Sequence, residues 1–163
     1  DVYEKIQFFK DCAFGFDDKF MHPEISFNYR GSSLNAALGL SQLRKIFKLI
    51  DVRNNCREEY IRRLNGSVKF QEDYSGSRTA WWMVCIMAES EFDRDRIINA
   101  LIARNIDFRK VFPPIEWIPA IRDVSVEYKS NVNSRTIHST AINLPTGHGI
   151  DIERVSDAIL SVF

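Results

Sequence analysis

From Ser32 onward, Ala36, Leu40, Leu43, Phe47 and Ile50 recur at alternating steps of four and three, and no proline follows until Pro113. That spacing keeps apolar side chains on one face of a helix. Gly31 permits a sharp entry, and Ser32 or Ser33 is the expected N-cap. Helical character continues through Arg53–Leu64, with Tyr60, Ile61 and Leu64 on one side, until Asn65-Gly66 stops it. The other face carries Arg44, Lys45, Arg53, Arg57, Arg62 and Arg63. A helix this long exceeds what a small domain needs to enclose itself. It reads as a spine joining this chain to something else.

The pattern after the spine changes period. Val68–Phe70 reads as a short strand, and Thr79–Ala88 (TAWWMVCIMA) as a buried strand, because it is almost continuously apolar. Ser90-Glu91-Phe92-Asp93 resembles a capping box and opens a helix with Phe92, Ile97, Ile98, Leu101 and Ile102 as its apolar positions. Asn105 ends it. Ile106–Phe112 alternates as a further strand, and Pro113, Pro114 and Pro119 define a rigid loop. A short helix over about 131–139 leads into a strand at Ala141–Leu144. Asp151 is the expected N-cap of a last helix with Ile152, Val155, Ile159 and Leu160 inward. The expected fold is α+β: a small mixed or antiparallel sheet with helices on one side and a long N-terminal spine helix. Residues 1–27 read as irregular, with Pro23 breaking any helix. The domain division is a lead-in over 1–30, followed by the long helix and α+β domain over 31–163.

Function classes narrow through charge and cysteine use. With 22 basic and 22 acidic residues the net charge is zero, which argues against nucleic acid and against polybasic membrane docking. No run approaches the roughly 20 apolar residues of a membrane span, and Asp1–Lys10 is too charged for a signal peptide. Cys12, Cys56 and Cys85 are odd in number and far apart, as expected of reduced thiols in a cytoplasmic protein. His22, His138 and His148 are scattered, so no metal site is expected. Asn65-Gly66-Ser67 reads as a tight turn rather than a glycosylation site.

Two neighbouring segments are not generic. They are His22-Pro23-Glu24-Ile25-Ser26-Phe27-Asn28-Tyr29-Arg30 and Ser33-Leu34-Asn35-Ala36-Ala37-Leu38-Gly39-Leu40-Ser41-Gln42-Leu43. Together they resemble the G-[FY]-N-Y-R-M-x-x-[IL]-x-A-A-[IL]-G-L-x-Q-L stretch of the DegT/DnrJ/EryC1/StrS aminotransferases, and the His-Pro is most similar to the perosamine synthase branch. Arg109-Lys110-Val111-Phe112-Pro113-Pro114-Ile115-Glu116-Trp117-Ile118-Pro119 resembles the family's R-x-x-F-x-P-x-H-x-x-P loop. Ile142-Asn143-Leu144-Pro145-Thr146 resembles its G-[IL]-x-L-P-[ST] segment. The resemblance runs over essentially the whole chain. It implies the C-terminal domain of a type I fold enzyme that uses pyridoxal phosphate (PLP) to aminate a nucleotide-linked keto-sugar.

The same resemblance implies an incomplete active site. The family's Schiff-base lysine and the Asp that protonates the pyridine nitrogen precede the Asn-Tyr-Arg motif. None of the lysines at 5, 10, 19, 45, 48, 69, 110 and 129 is followed by a T-T-G-E-G-G-like run. The chain starts at Asp1 rather than Met, which suits a trimmed or incomplete chain, and no covalently bound PLP is expected on it alone.

Site residues follow position by position. Asn28 matches the family's Asn that reaches the cofactor phosphate of the neighbouring subunit; an amide donates to phosphate oxygen without adding charge. On spacing alone a cap or turn before Ser32 is the better reading of it, and the motif match reverses that. Arg30 suits anion recognition beside it, or an ordinary surface ion pair. Tyr29, Arg109, Glu116 and His22 are the substrate-side candidates. Tyr29 also suits packing at an interface, and His22 a loop histidine bonded to backbone. Glu116 stands where the family has His, and a carboxylate near a phosphorylated ligand repels it unless neutralised. Pro113 replaces a frequent aromatic, and Gly31 the usual Met. Trp81, Trp82 and Trp117 are assigned to core or interface.

Two function classes remain. One is an enzyme part, acting at a homodimer interface or in a larger oligomer, where Asn28 and Arg30 complete the partner's cofactor pocket. The other is a stand-alone, non-catalytic module that self-associates or binds a nucleotide-sugar. Both expect the apolar face of the long helix to be covered by a partner.

Overall fold

The computed structural model describes residues 1–14, 22–77, 79–119 and 131–163, in two compact units, Asp1–Ile46 and Phe47–Phe163. The expectations for Thr79–Ala88 and the proline loop lie within the described residues; Arg78 and 120–130 lie outside them.

The first unit holds helices α1 (Val2–Lys10) and α2 (Ser33–Leu43). Helix α1 corrects the irregular reading of residues 1–27. Asp1 caps it by accepting from the Tyr3 amide, and Glu4 accepts from the Asp1 amine, a reciprocal box that outweighs the poor helix propensity of Phe8 and Phe9. Ser32 is the N-cap of α2, accepting from the Asn35 amide at 3.2 Å. The single long helix expected from Ser32 to Leu64 is two helices, with a turn at Arg44-Lys45 separating α2 from α3 (Ile46–Leu64).

The second unit is built on a four-stranded antiparallel sheet of order β1-β2-β4-β3, from β1 (Lys69–Phe70), β2 (Val84–Met87), β3 (Arg109–Lys110) and β4 (Ala141–Leu144). Its other helices are α4 (Glu91–Ala103), α5 (Val132–Thr140) and α6 (Ile152–Leu160). Strand side chains alternate between faces. Val84, Ile86, Ile142 and Leu144 therefore join Tyr60 and Leu64 of α3, Ile97 and Leu101 of α4, and Val155 and Ile159 of α6 in one core. The register puts Cys85, Asn143 and Arg109 in a single row on the opposite face.

Strands β2 and β3 are both shorter than the sequence suggests. Trp81 adopts φ 41°, a left-handed turn that takes the Trp-Trp pair out of β2. Strand β3 is an edge with one neighbour, followed by two prolines that lack N–H donors. Helix α4 differs in detail. Ile97, Ile98 and Leu101 are buried, but Phe92 and Ile102 are exposed, because positions 92 and 102 lie outside the stripe facing the sheet. In α6, Leu160 is likewise part-exposed while Val155 and Ile159 are buried.

Three helix starts follow their caps. Ser90 accepts from the Asp93 amide and Asp151 from the Arg154 amide, as Ser32 does for α2. Tyr60 closes the core by donating its hydroxyl to the Pro145 carbonyl at 3.0 Å; burial raises its pKa, so the phenol stays protonated. No helix among the described residues is long and apolar enough to cross a membrane, and none of those residues forms a three-ligand metal cluster.

Candidate functional site

In the first unit, the Asn-Tyr-Arg motif is an extended, exposed segment tied back to the end of α1 by an antiparallel bridge between Asp11 and Asn28. Asn28 Oδ1 accepts from the Arg30 amide at 3.4 Å, which leaves its amide NH2 pointing to no protein acceptor among the described residues. Arg30 donates from Nε at 2.9 Å and from Nη2 at 2.8 Å, both to Asp11 Oδ1. The ion pair is solvent-exposed and contributes at most about 1 kcal/mol. Its effect is to aim the guanidinium, leaving Nη1 open. Tyr29 is 72% exposed and stacks on Phe27 at 5.5 Å. His22 donates Nδ1–H to the Cys12 carbonyl at 2.8 Å and lies against Phe14, so its ring is engaged by backbone.

The second unit brings Arg109 and the proline loop together. A short 3-10 turn, Ile115–Trp117, follows Pro114. Glu116 accepts from Asn131 Nδ2 at 2.9 Å and from Arg135 Nε at 3.1 Å. Burial pushes the Glu116 carboxyl up. Its own backbone amide, the Arg135 guanidinium and Asn131 together outweigh that and hold its pKa below the ordinary carboxylate value. His138 donates Nδ1–H to the Val111 carbonyl at 3.0 Å, and Trp117 meets the His138 ring edge-on at 5.3 Å. Asn131, Arg135 and His138 stand four and three residues apart, so one side of α5 clasps the loop. Glu116 is therefore neutralised in place by Arg135, which removes the repulsion its charge would impose on an anionic ligand.

Arg109 is exposed and walls a cavity of about 320 Å³ that also touches Trp82, Asp107, Asn143 and Thr146. It occupies the end of the sheet where β2 and β3 begin and β4 finishes. Trp81 is buried, with the Arg57 guanidinium 4.2 Å over its ring, whereas Trp82 is 59% exposed at the cavity. The core half of that expectation holds for Trp81, and Trp82 is exposed and lines the cavity. Asp107, Asn143 and Arg135 were not singled out as site residues from sequence. Asp107 precedes β3 by two residues and lines the same cavity as Arg109.

Comparison with known proteins supplies the context. A sequence profile described as the DegT/DnrJ/EryC1/StrS aminotransferase family matches residues 1–163. The GDP-perosamine synthase of Escherichia coli O157:H7 is 25% identical over 154 residues, covering 94% of this chain and 42% of that protein. That of Vibrio cholerae is 25% identical over 142 residues, covering 85% and 38%. Among solved structures, Helicobacter pylori PseC, an aminotransferase involved in the biosynthesis of pseudoaminic acid, superposes with a TM-score of 0.80 at 20% identity. The match covers 99% of this chain and 46% of PseC. The aminotransferase TlmJ from Streptoalloteichus hindustanus gives 0.82 at 14%, covering 99% and 44%. At such identities the structural likeness carries the fold alone. The chain spans about two fifths of the length of the curated relatives.

Proposed function

The chain belongs to the DegT/DnrJ/EryC1/StrS aminotransferase family, and from that membership we propose that it is the C-terminal part of a PLP-dependent enzyme that moves an amino group onto a nucleotide-linked keto-sugar. The observation that carries this reading is the state of the Asn28-Tyr29-Arg30 segment. It is exposed, held in place by Asp11, and carried by a unit whose helix α2 exposes Leu34, Leu38, Leu40 and Leu43. Such a surface suits contact with another protein body. We assign that body to a second copy of the enzyme, giving a homodimer or a larger oligomer in the cytoplasm.

The chain's own residues divide the work. The Asn28 amide and Arg30 Nη1 suit phosphate oxygens of the cofactor, one as a neutral donor and the other as a fixed cation. When bound, PLP supplies the electron sink for amine transfer. Arg109 faces the sugar-nucleotide, and the α5 clasp through Glu116 keeps the adjoining loop from shifting. Tyr29 packs at the subunit contact, and His22 orders the turn before the motif. The lysine that would carry the cofactor is not matched by any in this chain, so amine transfer needs the remainder of the enzyme.

The test is to restore an upstream reading frame and assay amine transfer from glutamate to a nucleotide-linked keto-sugar, beside the 163-residue chain alone. The expected result is transfer by the extended enzyme, loss of at least tenfold in kcat/KM on Asn28→Ala, and no absorbance of lysine-bound PLP on the chain alone. Lysine-bound PLP on the chain alone, abolished by one Lys→Ala change, would contradict the proposal. A start codon next to Asp1 with no transfer would favour the free-standing module.

A further inference from the structure

Helix α3 is joined to β1 by a turn through Asn65-Gly66-Ser67, between two anchored ends. Leu64 is at 0% exposure in the core, and Val68 and Phe70 pack against that core. Gly66 adopts φ 84°, the left-handed position that ends helices and that glycine takes without strain. A Cβ placed on it would meet nothing within 4 Å, so backbone conformation and not crowding selects glycine here. The turn is closed one residue later, where the Ser67 amide donates to the Leu64 carbonyl at 3.0 Å. Among the described residues nothing accepts from the Gly66 N–H, and the exposed Asn65 side chain makes no hydrogen bond.

Each of these features removes a restraint on one reaction. The Gly66 nitrogen is the backbone nitrogen that can close a five-membered ring on Cγ of Asn65. A hydrogen bond from its N–H, a Cβ on residue 66, or burial of the Asn65 amide would each hinder that approach, and none is present. Asparagine is the thermolabile amide side chain for this reason. Of the chain's asparagines only Asn65 precedes a glycine.

We propose that Asn65-Gly66 is a self-modification site, at which Asn65 converts to aspartate and isoaspartate with water as the co-reactant, independently of the aminotransferase reading. The Gly66 nitrogen loses its proton to solvent base and adds to Cγ. The N–Cγ bond forms, the Cγ–NH2 bond breaks, and ammonia leaves. Water then opens the cyclic imide at either carbonyl. Opening at Cγ gives aspartate; opening at the main-chain carbonyl gives isoaspartate, whose backbone runs through Cβ and is longer by one methylene. The balance is one water consumed and one ammonia released. Either product adds a negative charge to a chain of zero net charge, at a helix C-terminus where the dipole disfavours it. The cations of that last turn are already engaged, Arg62 and Arg63 with Glu59 and Arg63 also with Glu153. The isoaspartyl form also lengthens a short joint fixed at both ends, which loosens β1, a two-residue edge strand.

The experiment is prolonged incubation of the 163-residue chain, folded and in urea, at neutral and at mildly alkaline pH. It is read by ion-exchange chromatography, peptide mass mapping and methyl transfer from S-adenosylmethionine by an isoaspartyl methyltransferase. The expected result is a more acidic form, one mass unit heavier, with the change mapping to Asn65. Its rate of formation in the folded chain should lie within about tenfold of that in urea and rise about tenfold per pH unit, since the attacking nitrogen is a rare deprotonated species. Asn65→Gln, whose ring would be larger, should abolish the conversion and leave the circular dichroism unchanged. In the isolated isoaspartyl form the Lys69 and Phe70 amides should exchange at least tenfold faster than in the fresh chain, with those of β4 unaltered. Conversion in the folded chain more than about a hundredfold slower than in urea, an acidic form that maps to another asparagine, or one that persists in Asn65→Gln would overturn the proposal. Unaltered β1 exchange in the isoaspartyl form would refute its effect on the sheet.

Discussion

The two units of the chain differ in how they bury their apolar residues. In Phe47–Phe163 the sheet and helices α3, α4 and α6 enclose a continuous core, with Tyr60, Leu64, Ile97, Leu101 and Ile159 at 0% exposure. In Asp1–Ile46 the only described hydrophobic residue that is buried is Ala13, while Val2, Tyr3, Ile25, Leu34, Leu38 and Leu43 are each more than half exposed. The compositions are not responsible, since both units are rich in large apolar side chains. The second unit has two layers to press together; the first, among its described residues, has helices and an extended segment without a sheet. Its apolar surface is of the kind that marks an interaction site.

The largest expected contrast follows from cavity formation. Leu101→Ala should cost about 2–5 kcal/mol in urea unfolding, since the neighbours in a packed core cannot fill the void. Leu38→Ala in α2 should cost under about 0.5 kcal/mol in the same chain at low concentration. Equal costs would break the comparison. A smaller effect separates one buried polar contact from exposed ones: Tyr60→Phe should lose about 1 kcal/mol with an unchanged m-value, because the Pro145 carbonyl loses its donor. Caps sharpen the contrast further. Ser90→Ala should lower global stability by about 1 kcal/mol, whereas Ser32→Ala should reduce helical ellipticity and leave the cooperative midpoint nearly in place.

The smallest effect is on pH dependence. Glu116 is held below the ordinary carboxylate value in the folded chain, and Glu59 is lowered to about 2 by its bonds to Arg62 and Arg63. Each folded value lies below the unfolded one. Their stabilisation is therefore complete above the ordinary carboxylate pKa and is lost as the pH falls through the folded value. Unfolding midpoints measured from neutral pH down to acid should fall less steeply for Glu116→Gln than for the unaltered chain. Parallel profiles would show that the α5 clasp carries no net charge coupling.

Much of the second unit was legible because its elements are announced locally. Ser90, Asn105 and Asp151 punctuate helices that alternate with short apolar strands, and the order helix, strand, strand, helix, strand, loop, helix, strand, helix is the one observed. Helix α1 was hidden by its aromatic residues, although Asp1 and Glu4 spell its cap. The candidate site was less legible. Arg109 and Glu116 are visible through motif position, but the partner that neutralises Glu116 is Arg135, brought close only by tertiary structure. Whether Trp81 or Trp82 faces the core depends on a single backbone angle, which an apolar run does not disclose. Asn143 looks like one residue of a strand until the register sets it between Cys85 and Arg109.

The direct test of a self-sufficient second unit and an unfinished first one is amide hydrogen exchange of the 163-residue chain, followed peptide by peptide over a range of protein concentrations. The amides of β2, β4 and α4 should exchange only through global unfolding, independent of concentration, while those of α1 and α2 exchange orders of magnitude faster when dilute and slow as copies associate. Equal, concentration-independent protection of both units would contradict the account, because the first unit would then be stable without a partner.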